Sequence, residues 1–318
     1  IHKLLAGVCY AQARWFLSLG RLGWGQASRL LHLACRLWPH HPEAPLWLKL
    51  VQGKEALRRG RPDVALPLLL EAERALPPSL GLRADVGLAQ VMVGNWEQAI
   101  VVLERAVKEE EAAQREDVWA SLAWAYLKTG RAPKARESCL RAEQMGVQSL
   151  RLMLLQRLAT AVGLGALPVS EISDLLERLP EAGVLVLEFA RQQAQEGHRQ
   201  LARAAVTAFP ADDQPRAFAI IARGSLNEGD VDTASWAADQ IAPPGADGLD
   251  AEVALIRSEV ALRRGAEADA IAQARTALDI EGGTARAHEQ VGRVLLLAGD
   301  WDSAVDEMIE ALHTGGAG

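Results

Sequence analysis

Residues 118 to 130 read VWASLAWAYLKTG and residues 132 to 146 read APKARESCLRAEQMG. In both stretches apolar residues return three and four positions apart, the spacing that lines one face of an α-helix. The glycine at the end of the first stretch marks a tight turn, so the pattern predicts two antiparallel helices. The same order of apolar stripe, glycine and apolar stripe recurs along the chain. It predicts an all-helical protein built from hairpins.

The punctuation is regular. GNWEQAI at 94–100 and GDWDSAV at 299–305 are near copies, and weaker copies fill the interval. Gly60/Ala65, Gly94/Ala99, Gly130/Ala135, Gly197/Ala202, Gly229/Ala234, Gly265/Ala270 and Gly299/Ala304 form seven pairs, spaced 34, 36, 67, 32, 36 and 34. The 67 is a doubled period. Its missing member falls near Gly163, where Pro168 stands in place of the expected alanine. A looser unit with Ala27, Leu31, Ala34 and Pro39 precedes Gly60. Glycine suits the turn because a helix end often takes a left-handed residue. Alanine five positions on suits a close helix crossing. The period divides the chain into units at about 1–44, 45–79, 80–114, 115–146, 147–181 (degenerate), 182–213, 214–248, 249–283 and 284–318, a single solenoid whose repeats touch only their neighbours.

Trp119, Leu122, Ala123, Tyr126, Gly130, Ala135, Cys139 and Ala142 match the tetratricopeptide repeat pattern. Gly53, Gly60, Ala65, Leu69, Ala72 and Pro77 repeat part of it, as do Gly292, Gly299, Ala304, Met308 and Ala311. The chain therefore resembles the tetratricopeptide repeat family over essentially its whole length, departing from it at 147–180. That resemblance implies an all-α fold, a right-handed α-α superhelix of about nine hairpins whose first helices line a concave wall. It also implies a non-catalytic scaffold or adaptor that binds a peptide segment or helix of a partner. Pentatricopeptide repeats have a similar period but read RNA, and the Gly-x4-Ala elbow and acidic balance point away from them.

Carried over position by position, the inner wall would present Trp47, Lys54 and Arg58, then Asp85 and Met92, then Asp117, Ser121, Trp124 and Lys128. Beyond the degenerate unit come Glu188, Arg191, Arg216, Ile220, Arg223 and Asn227, followed by Glu252, Ile256, Glu259 and Arg263, and by Arg286, Gln290 and Arg293. The shared register of these arginines predicts a locally basic track for an acidic or phosphorylated segment, with Trp47 and Trp124 taking its apolar end. The bland reading is that each Arg pairs with a Glu of the next repeat. Where chaperone-binding members of the family hold a carboxylate, this chain has Leu50 with Lys54 and Ala120 with Trp124, which argues against a heat-shock co-chaperone.

Composition changes this picture little. A net charge of −7 argues against a general nucleic-acid binder. Cys9, Cys35 and Cys139 fall at apolar helical positions and read as free core thiols. The seven histidines show no metal-ligand spacing, and no catalytic constellation assembles, so neither enzyme activity nor a metal or other cofactor is expected. No apolar run is long enough to cross a bilayer. Ile1, Leu4, Leu5, Val8, Trp15, Phe16 and Leu19 recur at helical spacing and predict a first helix rather than a signal peptide. A cytoplasmic protein is expected, or a periplasmic one if a leading segment has been removed. The missing initial Met and the final GGAG support an alternative, a regulatory or targeting domain cut from a larger enzyme or transcription regulator.

Overall fold

The computed structural model describes residues 1–76, 81–241, 250–281, 284–297 and 299–315. Among these there are helices and turns but no strand. Pro77 lies outside the described residues, as does the final GAG. The chain divides into two compact units, Ile1–Gly163 and Leu164–Gly318.

The first unit runs α1 (His2–Ser18), α2 (Trp24–Leu37), α3 (Ala44–Arg58), α4 (Pro62–Ala75), α5 (Leu82–Val93), α6 (Trp96–Ala106), the one-turn α7 (Glu110–Ala113), α8 (Glu116–Lys128), α9 (Ala132–Gln144) and α10 (Leu150–Leu164). In the second are α11 (Val169–Arg178), α12 (Gly183–Gln195), α13 (Arg199–Thr207), α14 (Gln214–Asn227), α15 (Val231–Asp239), α16 (Asp250–Arg263), α17 (Glu267–Glu281), α18 (Ala285–Leu297) and α19 (Trp301–Gly315). Helices pair as consecutive hairpins: α1 with α2, α3 with α4, α5 with α6 and α8 with α9 in the first unit, α12 with α13 through α18 with α19 in the second. Within each unit successive hairpins pack on one another, as α4 does on α5 and α17 on α18.

Each Gly-x4-Ala pair is an elbow of such a hairpin. All seven glycines have positive φ, between 68° and 88°. Gly94, at φ 88°, shows why glycine is needed: its N–H donates to the Val91 carbonyl at 3.1 Å, and the next residue, Asn95, donates back to Gln90 at 2.9 Å. This six-to-one closure satisfies the orphan carbonyls of the helix end, and it needs a left-handed residue. The same bond recurs at every elbow, from Arg61 to Ala56, Arg131 to Tyr126, His198 to Gln193, Asp230 to Ser225, Ala266 to Ala261 and Asp300 to Leu295. All seven alanines are fully buried.

The close crossing has a second partner in the sequence, seven residues before each elbow glycine. Gly53, Gly87, Ala123, Ala190, Ala222, Ser258 and Gly292 occupy those positions. A β-carbon on Gly87 would stand 2.4 Å from the Leu103 side chain, and one on Gly53 would stand 2.8 Å from Leu69. Ser258 fits because its Oγ donates to the Ala270 carbonyl across the crossing at 2.9 Å. Small residues on both helices let the backbones approach, which sets the geometry of the whole hairpin.

One sequence expectation is corrected here. Gly163 lies inside α10; the left-handed glycine is Gly165, at φ 69°, and Pro168 is the N-cap of α11. Proline tolerates that place because a helix start leaves its N–H groups unbonded. The first helix forms as its apolar spacing predicts, and Phe16 of that set packs on the core. Ala6 and Ala13 are buried, while Ile1, Leu4, Val8 and Trp15 are exposed. All three cysteines are free. Burial pushes the Cys139 thiol up to about 12.

Candidate functional site

In the first unit α3, α5 and α8, the first helices of successive hairpins, wall a cavity of ≈ 870 Å³. Lys54 and Arg58 reach it from α3, Asp85 and Met92 from α5, and Asp117 and Ser121 from α8. These six expected residues are brought together, and the expected Trp47 borders the same cavity. A residue that the positional reading missed joins them. Arg115, just ahead of α8, donates from Nη1 to Asp85 at 2.9 Å and grips Asp117 with Nε at 3.1 Å and Nη2 at 2.9 Å. Lys54 Nζ lies 2.6 Å from the other Asp85 oxygen. The result is a chain of alternating charge, Lys54–Asp85–Arg115–Asp117, laid across three hairpins. Burial works against the Arg115 charge, but the bond to Asp117 and the field of Asp85 outweigh it and hold the guanidinium above its ordinary range.

The two tryptophans are largely buried. Trp47 is 4% exposed and Trp124 9%. The Arg14 guanidinium covers the Trp47 ring at 4.9 Å, and Lys128 Nζ stands 5.7 Å from the rings of both Trp96 and Trp124. Large rings on a helical stripe are drawn into the core, so they offer a partner little apolar surface. Met92, 49% exposed, is the most open apolar side chain of the lining, beside the half-buried Leu17, Trp24, Leu57 and Leu88.

In the second unit α14, α16 and α18 frame a smaller cavity of ≈ 360 Å³. Arg223, Asn227, Ile256, Glu259, Arg263, Arg286, Gln290 and Arg293 all line it, together with Glu289. Ile256 is buried in the wall. Glu259 is the hub: it accepts from Arg263 Nε at 3.0 Å and Gln290 Nε2 at 3.2 Å, and Arg293 Nη1 lies 3.3 Å from it. Arg263 also donates to the Leu226 carbonyl at 2.6 Å. Arg223 pairs with Glu252 at 2.8 Å. Arg286 is exposed and makes no ion pair among the described residues.

Arg191 is 9% exposed and bridges Glu188 of its own helix, at 2.7 Å, to Glu228 at the end of α14. Burial again opposes the charge, and the bonds to Glu228 and Glu188 more than restore it. Its side chain also packs beside Gly224, where a β-carbon would meet Arg191 Cδ at 3.3 Å. Arg191–Glu228, Arg223–Glu252 and Arg293–Glu259 each join neighbouring hairpins, so most of the expected basic track is spent on stacking. Arg216 and Ile220 line a different cavity of ≈ 580 Å³, among Leu176, Leu187 and Phe209, and do not share a wall with Arg286.

No family model matches this chain, and no curated protein matches it. Solved structures do. The human IFIT1 dimer with m7Gppp-AAAA is 16% identical, with 97% of this chain and 72% of that one covered and a TM-score of 0.38. A tetratricopeptide repeat protein from Parabacteroides merdae is 14% identical, with 85% and 93% covered and a TM-score of 0.38. The TPR2AB domain of yeast Sti1 in complex with pHSP90 is 15% identical, with 85% and 90% covered and a TM-score of 0.30. The assignment comes from the hairpins themselves, with their left-handed glycines and buried alanines at a period near 34. This is a tetratricopeptide-like fold. Among the described residues no group of His, Cys, Asp or Glu could hold a metal ion, and no helix is long and apolar enough to cross a membrane.

Proposed function

We propose that the chain is a non-catalytic protein-interaction scaffold whose first helices hold an extended segment or helix of a partner. The observation that carries this reading is the ≈ 870 Å³ groove across α3, α5 and α8, lined in part by charges held in ion pairs. Because Lys54, Asp85, Arg115 and Asp117 are already paired, their positions are set before a partner arrives, and binding loses little side-chain freedom. Met92 supplies the apolar anchor. In the second unit the lining of the smaller cavity has four guanidinium groups against two carboxylates, and Arg286 is the one left to an incoming acidic group. On this reading an acidic or phosphorylated segment lies against Arg286.

A peptide library selected on the immobilised chain tests the proposal, with Met92→Glu and Arg286→Glu as variants. Both side chains are exposed, so the melting midpoint should stay at the wild-type value. Apolar-anchored peptides should lose affinity on Met92→Glu, and acidic peptides on Arg286→Glu. Wild-type affinity of every selected peptide for both variants would refute the groove as the binding surface.

A further inference from the structure

The first 61 residues carry ten Lys and Arg against two carboxylates, Glu43 and Glu55, a net of +8 in a chain whose total is −7. Four of the ten meet around one cavity of ≈ 850 Å³ between α2, α3 and α4. Arg29 comes from α2, Arg58 from the last turn of α3, Arg59 from its C-cap and Arg61 from the elbow. Glu55 is the one carboxylate in the lining, and it is occupied: Arg58 donates to it from Nε at 2.9 Å and Nη2 at 2.8 Å, and Arg59 Nε lies 2.8 Å away. The side chains of Arg29 and Arg61 are exposed and have no partner among the described residues. Trp24, Val64 and Leu68 give the cavity an apolar wall.

Four guanidinium groups from three successive elements, with one carboxylate among them, leave a surplus of three positive charges. Nothing inside the cavity balances it. The guanidinium fork matches phosphate oxygens in geometry, and a phosphate monoester, at about −1.5 to −2, offsets half or more of that surplus. A long polyanion fits less well, because residues 62–318 carry a net of −15 that would repel it. We propose that this cavity is a phosphate site, taking a phosphorylated ligand whose apolar part rests on Trp24 and Leu68. It is separate from the groove proposed above, with which it shares only the bordering Trp24, Val51 and Arg58.

The test is calorimetric titration of the 318-residue chain with inorganic pyrophosphate, with a phosphoserine peptide and with the unphosphorylated form of that peptide. Arg29→Ala/Arg61→Ala removes the two unpartnered groups. Arg203→Ala/Arg275→Ala, on exposed positions of α13 and α17, removes the same charge elsewhere. Neither pair touches a buried contact, so both variants should melt with wild type. Saturable binding of a phosphorylated probe is expected, weakened roughly tenfold or more in the first variant, as suits the loss of bonds to a charged group, and unchanged in the second. Pyrophosphate saturating alone would assign the site to a free phosphorylated compound. Tighter binding of the phosphopeptide, with its unphosphorylated form silent, would assign it to a modified protein. If neither phosphorylated probe saturates, or the second variant loses as much as the first, the site does not exist. The groove reading is measured at Met92 and Arg286 and stands or falls separately.

Discussion

At the scale of single residues, the strongest constraints fall on the smallest side chains. Ala99 is fully buried where α6 crosses α5, and Gly87 on the facing helix leaves no room for a β-carbon. Replacing Ala99 with Leu should therefore overpack the crossing and cost about 1 to 3 kcal/mol, read as a shift in the denaturant midpoint. An unchanged midpoint would mean that the helices can separate there without loss. These positions were legible in the sequence because a left-handed turn and a close crossing each accept very few residue types. The groove residues were legible only as a face. Trp47 and Trp124 share that face with Lys54 and Lys128, yet both rings turn into the core, because periodicity reports which side of a helix a residue occupies and not how deeply it sinks. Arg115 is not legible in that register because it is the N-cap of α8, ahead of the helical positions.

At the scale of elements, polar contacts between hairpins recur at one period. Arg131 with Glu97 and Arg293 with Glu259 are 34 residues apart, and Ser149 with Glu116 and Gln195 with Glu228 are 33 apart. Stacked repeats place equivalent positions side by side, so a charge finds its partner in the neighbouring copy. This is why the arginine track, visible as a register of like residues, is largely neutralised: its acids lie in the neighbouring repeat, 37, 29 and 34 residues from Arg191, Arg223 and Arg293, and the pairing depends on side-chain reach. Nearest-neighbour packing also limits how far damage spreads. Ala304→Leu at the crossing of α18 and α19 should raise amide exchange in those helices and in α17, while amides of α3 to α6 exchange as in wild type. Equal acceleration in the first unit would show that the repeats do not behave as local units.

At the scale of the molecule, charge is divided unevenly along the chain, and a net of −7 conceals a basic leading segment. The 318-residue chain should bind a sulfonate cation exchanger at neutral pH and low salt, despite its overall sign, and elute early when Arg29 and Arg61 are both alanine. Passage of the wild-type chain without retardation would show that its neighbours cancel the basic segment. The elbows carry a consequence of another kind. Because each closes with its own backbone bond and each crossing uses residues of a single hairpin, the unit that can be copied or lost without disturbing the joints on either side is one whole period. In a gene, that favours duplications and deletions of about a hundred nucleotides, a repeat's worth of codons, over small in-frame changes within the helices.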